Sequence, residues 1–233
     1  MSELEKFDEE MIRKKKVVLQ CSCNFTRTGL EVLIGASTLC SFLEIVAISS
    51  SFAESEVQLE ALPTVDIVLL MLSHREYSLA SFLQFIGDSL PLISPSCTVV
   101  LVGEVAYINL LKHYFSGMRN VLTTLDISTS LMKLQMQLLD IERACGEGTE
   151  QGSNSSTVLS SRELLVLRRL LDGESSSQIA DDLALNYKTI SHYKRAALAK
   201  LGIRSLCPLV MHKYNDCLLH PQTRPYKQGL SLR

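Results

Sequence analysis

The sequence lacks long hydrophobic runs. Its uninterrupted apolar stretches, of which Ile67–Leu72 is typical, fall far short of the roughly 18 residues that a membrane helix needs, so we expect no transmembrane span and no membrane partner. The opening residues 1–16 carry mixed charge and no apolar core, which is not the pattern of a secretory signal or a transit peptide. We therefore expect the protein in the cytoplasm.

Paired cysteine motifs are also lacking. The seven cysteines are scattered without a CxxC pair or matching histidine spacing, which predicts reduced thiols. Cys21 and Cys23 could be interpreted as a metal or redox pair, but two ligands do not make a zinc site and no second pair follows. We expect neither a metal nor a cofactor.

The composition is that of an ordinary globular protein, and its charge is unevenly distributed. The chain has 233 residues, 46% of them hydrophobic and 21% charged, enough for two modest domains. Residues 1–156 hold 11 Lys and Arg against 19 Asp and Glu, a charge of −8, whereas residues 157–233 hold 12 against 6, a charge of +6. A basic segment gains affinity for polyanions by releasing the counterions condensed on phosphates. The two halves therefore favour different partners.

The organisation follows from this charge division and from a stretch rich in Gly and Ser, which has no large apolar residue to bury. We predict a charged leader over residues 1–15, an α/β domain over 16–144, a flexible linker over 145–156, a helical domain over 157–220 and a tail over 221–233.

Apolar runs in the first domain predict buried strands separated by helix-length stretches. The runs are Val17–Leu19, Ile45–Ile48, Ile67–Leu72, Val99–Val102 and Val121–Leu122. A final helix is predicted over about Ser128–Arg143. Five strands alternating with helices indicate a doubly wound parallel sheet, with any site at the carboxyl ends of the strands.

This pattern resembles the receiver domain of bacterial response regulators. The resemblance implies Mg²⁺-binding carboxylates after the first strand, a phospho-accepting Asp at the end of the third, a Thr or Ser after the fourth and a Lys after the fifth. The matching positions hold other residues, namely Cys21, Ser22, Met71, Gly103 and Thr123. Since a thioether accepts no phosphoryl group, we interpret the domain as a degenerate receiver that Mg²⁺-dependent phosphoryl transfer cannot switch.

Two substitutes for the lost site can be considered. Asp66 could serve as an alternative acceptor, but it lies at the start of the third strand, at the opposite end of the sheet. His74, Arg75 and Glu76 follow the same strand and could line a ligand pocket, although a solvated loop is the favoured interpretation.

The basic half predicts three helices. Ser160 and Glu163 form a capping box ahead of an amphipathic helix that ends at Gly173. A second helix spans about Ser176–Ala184. The third begins after Asn186, a suitable N-cap, and covers Tyr187–Leu201.

The third helix has two distinct faces. Ile190, Ala197 and Leu201 lie on one side, while Lys188, Ser191, His192, Arg195 and Ala199 lie on the other. The basic residues cluster between 187 and 204, without acidic neighbours: Lys188, Lys194, Arg195, Lys200 and Arg204. Such a helix fits the major groove of DNA, but charge alone is equally consistent with a solvated basic helix.

Residues 159–206 resemble the LuxR-type helix-turn-helix of NarL/FixJ regulators. The shared features are the LSSRE opening, the glycine after the first helix, QIA in the second helix, KTI entering the third and the closing KLGIRS. The resemblance implies that Lys188 and Thr189 contact phosphates, that Ser191, His192 and Arg195 face base edges, and that Tyr193 and Lys194 support phosphate contacts. The KTIS and CSCNFTRTGL segments are similar to the capsule-regulator (Rcs) branch. Ala184 replaces the usual glycine of the turn, and Ala199 offers no polar contact.

A fourth helix is predicted near residues 207–219. The resemblance implies a dimer contact there, for which the candidates are Leu209, Val210 and Tyr214. An equally open alternative is that this helix only covers the core of its own domain.

The predicted function is that of a cytoplasmic, sequence-specific regulator of transcription that binds double-stranded DNA as a homodimer, or as a heterodimer with a related response regulator. The alternative is a protein-interaction module that sequesters another regulator without reading DNA. The sequence holds no nucleophile–base pair, metal cluster or phosphate-binding glycine loop, so we do not expect an enzyme.

Overall fold

The N-terminal domain is built on one parallel sheet. The structure, a computed structural model, describes residues 13–36, 38–73, 78–118, 120–144 and 158–210. Five strands pair in the order β2-β1-β3-β4-β5. Their bounds are Lys15–Gln20 (β1), Leu43–Ser49 (β2), Ile67–Leu72 (β3), Thr98–Gly103 (β4) and Val121–Asp126 (β5). The predicted doubly wound parallel sheet is confirmed.

Helices cover both faces of this sheet, which explains why the central strand β3 is apolar and buried along its whole length. One face carries α1 (Asn24–Ala36) and α6 (Leu131–Ala144). The other carries α2 (Phe52–Ala61), α3 (Leu79–Gln84), α4 (Leu90–Ile93) and α5 (Val105–Ser116), with a π-helical turn at Phe85–Ser89 between α3 and α4.

Three predicted boundaries in this domain are corrected. β1 begins at Lys15, inside the predicted leader, and β5 continues to Asp126. The last helix begins at Leu131 instead of Ser128. The reason is that Asp126 Oδ1 accepts hydrogen bonds from both the amide nitrogen (2.9 Å) and the hydroxyl (2.6 Å) of Ser128, which forms a turn before the helix.

The C-terminal domain contains α7 (Ser161–Leu171), α8 (Ser176–Asp182) and α9 (Tyr187–Leu201), followed by a helical turn at residues 207–210. The capping box of Ser160 and Glu163 is confirmed. The second helix ends before the predicted Ala184, since that residue has a φ of 51°, which no right-handed helix accommodates. The rest of the predicted fourth helix, residues 74–77, almost all of the predicted leader, and the predicted linker and tail lie outside the described residues. The predicted domain boundaries stay predictions.

The two domains share one hydrophobic core. Leu159, Leu167 and Leu201 belong to the same buried cluster as Phe82 and Tyr114 of the N-terminal domain. The two domains approach each other closely at two glycines. A Cβ atom added to Gly87 would lie 3.2 Å from Val158 Cγ1, and one added to Gly202 would lie 2.6 Å from His113 Cβ.

Candidate nucleic-acid interface

Helix α9 is defined at both ends by local capping. The Asn186 side chain accepts a hydrogen bond from the amide nitrogen of Lys188 at 2.8 Å, which confirms the predicted N-cap. Gly202 ends the helix with a φ of 73°, the left-handed conformation that glycine adopts at little cost. The helix bounds are therefore those expected from the sequence.

One side of α9 is buried, as its spacing predicts. Ile190, Ala197 and Leu201 are each 0% exposed. Ile190 packs with Val166 of α7 and with Ile179 of α8 in a small separate core. These contacts fix the rotation of α9 about its own axis, and therefore which side chains face away from the molecule.

Polar contacts hold the first two helices of the C-terminal domain in place. Ser175 and Gln178 form a second capping box at the start of α8. Arg169 of α7 donates to Glu174 and to Asp182, and these carboxylates raise the pKa of the guanidinium. The charge of Arg169 is thus neutralised inside the domain.

The opposite side of α9 is open at its N-terminal end. Lys188, His192 and Arg195 are exposed. The Arg195 Nε atom donates to the Ser191 carbonyl oxygen at 3.3 Å, so this guanidinium lies along the helix surface. These exposed donor side chains can hydrogen-bond to acceptor atoms on the base edges and phosphates of a DNA duplex.

The remaining predicted contact residues are partly covered. Thr189, Ser191 and Lys194 are half-buried. Tyr193 is also half-buried and packs against the small core, while its ring centroid lies 6.1 Å from that of His192. Tyr193 therefore contributes less open surface than the exposed residues, and the DNA contacts of these side chains stay predictions.

The N-terminal domain contacts α9 at its far end. The close approach of His113 to Gly202 lies at the C-terminal end of the helix, a full helix length from Lys188. Packing between the two domains therefore leaves the N-terminal half of α9 accessible.

Comparison with known proteins assigns the C-terminal domain. Residues 157–213 match the family model described as bacterial regulatory proteins, luxR family. This segment is a LuxR-family domain. The resemblance stated from the sequence is therefore confirmed for this part of the chain.

Relatives of known sequence match over part of the chain. The Fimbriae Z protein of Escherichia coli (strain K12) is 45% identical over 58 residues, which are 25% of this chain and 28% of that protein. The virulence-factor transcription regulator BvgA of Bordetella pertussis is 39% identical over 83 residues, 36% of this chain and 35% of that protein. The chain thus spans about a third of the length of the curated relatives that it matches.

Solved structures extend the likeness to the whole fold. The two-component response regulator RcsB in its DNA complex has a TM-score of 0.53 and 16% identity, and covers 86% of this chain and 98% of its own. RcsB from Salmonella enterica serovar Typhimurium bound to promoter rprA has a TM-score of 0.51 and 16% identity, with coverage of 87% and 99%. At this identity the likeness shows the fold alone, an α/β domain followed by a helical domain.

The basic patch around the LuxR-family domain is smaller than the sequence suggests. Lys200 Nζ donates to the Val158 carbonyl oxygen and to Glu163 Oε2, both at 2.8 Å. Burial opposes ionisation of Glu163, but its hydrogen bonds from Lys200 and Ser160 outweigh this and lower its pKa. Lys200 is thus a brace between α9 and the start of α7. Sequence reasoning missed this role because the two residues are 37 positions apart.

The predicted dimer contacts of the LuxR-family domain are corrected in one respect. Leu209 is 5% exposed and belongs to the shared core, so its side chain is not presented to a second molecule. Val210 is half-buried, and Tyr214 lies outside the described residues. Leu209 thus covers a core, as in the alternative prediction, but this core is shared with the N-terminal domain.

The positions of the lost phosphorylation site gather at the carboxyl edge of the sheet, with one exception. Cys21 and Met71 are buried, Ser22 is half-buried, and Gly103 leaves room for the Leu72 carbonyl oxygen, which would lie 2.6 Å from an added Cβ atom. Thr123, however, pairs with Val100, three residues before the edge.

The prediction for Thr123 is therefore wrong in register, because the β5 residue level with Gly103 is Asp126. Asp66 has a structural role at the other end of the sheet, where its Oδ2 atom accepts from the Lys16 amide nitrogen at 2.8 Å.

Two further observations bear on metals and membranes. Within the described ranges, no three His, Cys, Asp or Glu side chains are grouped as a metal site would require, and Cys21 Sγ lies 3.4 Å from the Cys23 carbonyl oxygen. None of the helices that the structure describes is both long enough and apolar enough to cross a bilayer.

Proposed function

We propose that this protein is a transcription regulator that binds double-stranded DNA in a sequence-specific manner, with α9 entering the major groove. The observation that carries the proposal is the open polar side of α9, where Lys188, His192 and Arg195 are exposed although the domain is packed on its neighbour. The LuxR family match and the +6 charge of residues 157–233 support it. The exposed donors Lys188, His192 and Arg195 make no contribution to packing, which is all that a helix covering the core would require.

The side chains divide into two roles. Arg195 can make a bidentate contact with guanine, while the shorter polar side chains of Ser191 and His192 can contact neighbouring base edges. Lys188, Thr189 and Lys194 flank them and serve the phosphates, assisted by Tyr193. Lys200 is excluded from this set because Glu163 already binds its ammonium group.

The regulator acts without phosphorylation of its receiver-like domain. Met71, which occupies the position of the family's acceptor, has a thioether that cannot be phosphorylated and is only 6% exposed. The buried Cys21 nearby replaces a Mg²⁺-binding carboxylate. DNA can consequently contact α9 without phosphorylation of the receiver-like domain.

DNA recognition by one such small domain covers few base pairs, so the active species is a pair. Two LuxR-family domains would occupy half-sites about one helical turn apart, ~34 Å. The partner is a second copy of this chain or a related response regulator.

Salt dependence of DNA affinity tests the proposal. We expect the affinity of the full chain for duplex DNA to fall steeply and linearly with salt on a log–log scale, because each phosphate contact releases counterions. A protein that sequesters another regulator without touching DNA would show no measurable duplex binding. That result would refute the proposal.

Three variants separate base readout from phosphate contact. Arg195→Ala should cost about 1–3 kcal/mol on the preferred site and relax preference at one position, whereas Lys194→Ala should weaken all sequences alike and reduce the salt slope by about 1. Lys112→Ala, at an exposed lysine on α5 of the other domain, is the matched control and should change neither quantity. Equal behaviour of all three variants would contradict the assignment.

A further inference from the structure

An exposed aromatic side chain stands at the start of α9. Tyr187 is the first residue of this helix and is 56% exposed. Among the aromatic residues that the structure describes, only Tyr187 and Phe25 are exposed. The other tyrosine of α9, Tyr193, is half-buried and packs against the small core of the domain. Most of the Tyr187 ring is therefore available to a second molecule.

Tyr187 lies beside side chains that are proposed to contact base edges. Tyr187, Ser191 and Arg195 follow one another at intervals of four residues, so they are neighbours along the surface of the helix. The first turn of α9 is held by the hydrogen bond of 2.8 Å between the Lys188 amide nitrogen and the Asn186 side chain. The position of Tyr187 on the helix surface is therefore set by a capped helix end.

The end of α9 that carries Tyr187 is the open one. The N-terminal domain approaches the other end of the helix, where Gly202 lies close to His113. No acidic residue occurs between positions 187 and 204, so no carboxylate of α9 repels the phosphates that flank a groove. In helix-turn-helix proteins the N-terminal residues of the helix in the major groove are the ones that contact base edges.

An aromatic ring at this place can distinguish one base from the other three. Thymine presents a methyl group in the major groove, which no other standard base has, and apolar side chains contact that group. A contact between the Tyr187 hydroxyl and a phosphate would carry no sequence information and would leave the ring at the wet edge of the groove. Contact with a thymine methyl removes apolar surface of both partners from water, which is favourable.

We propose that Tyr187 recognises the methyl group of a thymine and is thus a further specificity-determining residue of this protein. The inference rests on the proposed function, because it requires α9 to lie in the major groove. Tyr187 and Arg195 are eight positions apart, which is about 12 Å along a helix axis. This distance corresponds to about three or four base pairs of DNA at about 3.4 Å each. The thymine should therefore lie within about four base pairs of the guanine that Arg195 reads.

Replacement of thymine by uracil removes only the methyl group and so tests the contact. The probe is the duplex that the full chain selects from a random-sequence pool, with its thymines replaced by uracil one at a time. We expect one replacement in each half-site to lower the affinity of the native chain about fourfold, the value of one buried methyl group. In Tyr187→Ala the unmodified duplex should bind at least about fourfold more weakly than to the native chain, and the same replacement should have no further effect. Tyr187→Phe keeps the ring and should behave as the native chain does.

Phe25→Ala is the matched control, because it removes an exposed aromatic side chain from the other domain. This variant should keep both the native affinity and the effect of uracil. Circular dichroism should be unchanged in all variants, since Tyr187 and Phe25 are both exposed.

Three outcomes would overturn the inference alone. An effect of uracil that persists in Tyr187→Ala would come from another methyl group of α9, such as that of Thr189 or Ala199. A native chain for which no thymine is sensitive to uracil makes no such contact. A Tyr187→Phe variant that binds as weakly as Tyr187→Ala uses the hydroxyl, as a phosphate contact would require. In all three cases the chain still selects a duplex, whereas a chain that selects none contradicts the proposed function itself and this inference with it.

Discussion

Replacement of Gly202 by alanine measures the contact between the two domains. Gly202 has a φ of 73°, and a Cβ atom there would lie 2.6 Å from His113 Cβ and 2.8 Å from its Cγ and Cδ2 atoms. Non-bonded carbons prefer about 3.5–4.0 Å, so one element must move. Gly173 provides the matched control, since its φ is 93° but an added Cβ atom meets nothing within 4 Å.

The magnitudes follow from these geometries. Gly173→Ala should lower the free energy of unfolding by about 1–2 kcal/mol, the cost of a left-handed conformation for alanine. Gly202→Ala should cost that amount and a further ~1–3 kcal/mol for overpacking against α5. Urea denaturation of the full chain followed by circular dichroism measures both values.

Repeating both alanine substitutions in a His113→Gly background tests why Gly202→Ala costs more than Gly173→Ala. In His113→Gly the crowding atoms are gone, so the extra cost of Gly202→Ala over Gly173→Ala should disappear. If the two alanine variants lose the same free energy in the native background, the domains are not docked through this contact, and the reasoning is refuted.

Three other substitutions and conditions test the C-terminal domain. Ala184→Gly should raise the free energy of unfolding by about 1 kcal/mol, because Ala184 has a φ of 51°; a loss in urea denaturation would contradict this. Lys200→Met should cost about 1–3 kcal/mol by leaving the buried Glu163 carboxylate short of a partner, and Lys194→Met serves as its control. The pKa of Glu163 is lower in the folded protein than its ordinary value of 4.5, so its ionisation stabilises the fold fully at a pH above 4.5. This contribution should be lost as the pH falls from 4.5 through the lowered pKa, and Glu163→Gln should flatten the pH profile of stability.

Local signals in the sequence located the elements well. Ser160 with Glu163, and Asn186 before α9, mark helix starts because a capping side chain reaches only two or three residues along the chain. The helix start at Leu131 was missed because the turn at Asp126 depends on a side-chain hydrogen bond that composition does not reveal. Thr123 was misplaced because β5 continues to Asp126, past the apolar run Val121–Leu122 from which its end was predicted.

The sequence by itself determined the parallel sheet, the LuxR-family helices and the face of α9 that is polar. Buried strands appear in it as short apolar runs, and helices appear as apolar residues at helical spacing. Tertiary structure alone decided which charges remain available and which surfaces remain open. Lys200 is bound to Glu163, Leu209 is buried in a core shared by two domains, and Phe25 remains in solvent. Each of these facts depends on residues distant in sequence meeting in space, which periodicity cannot encode.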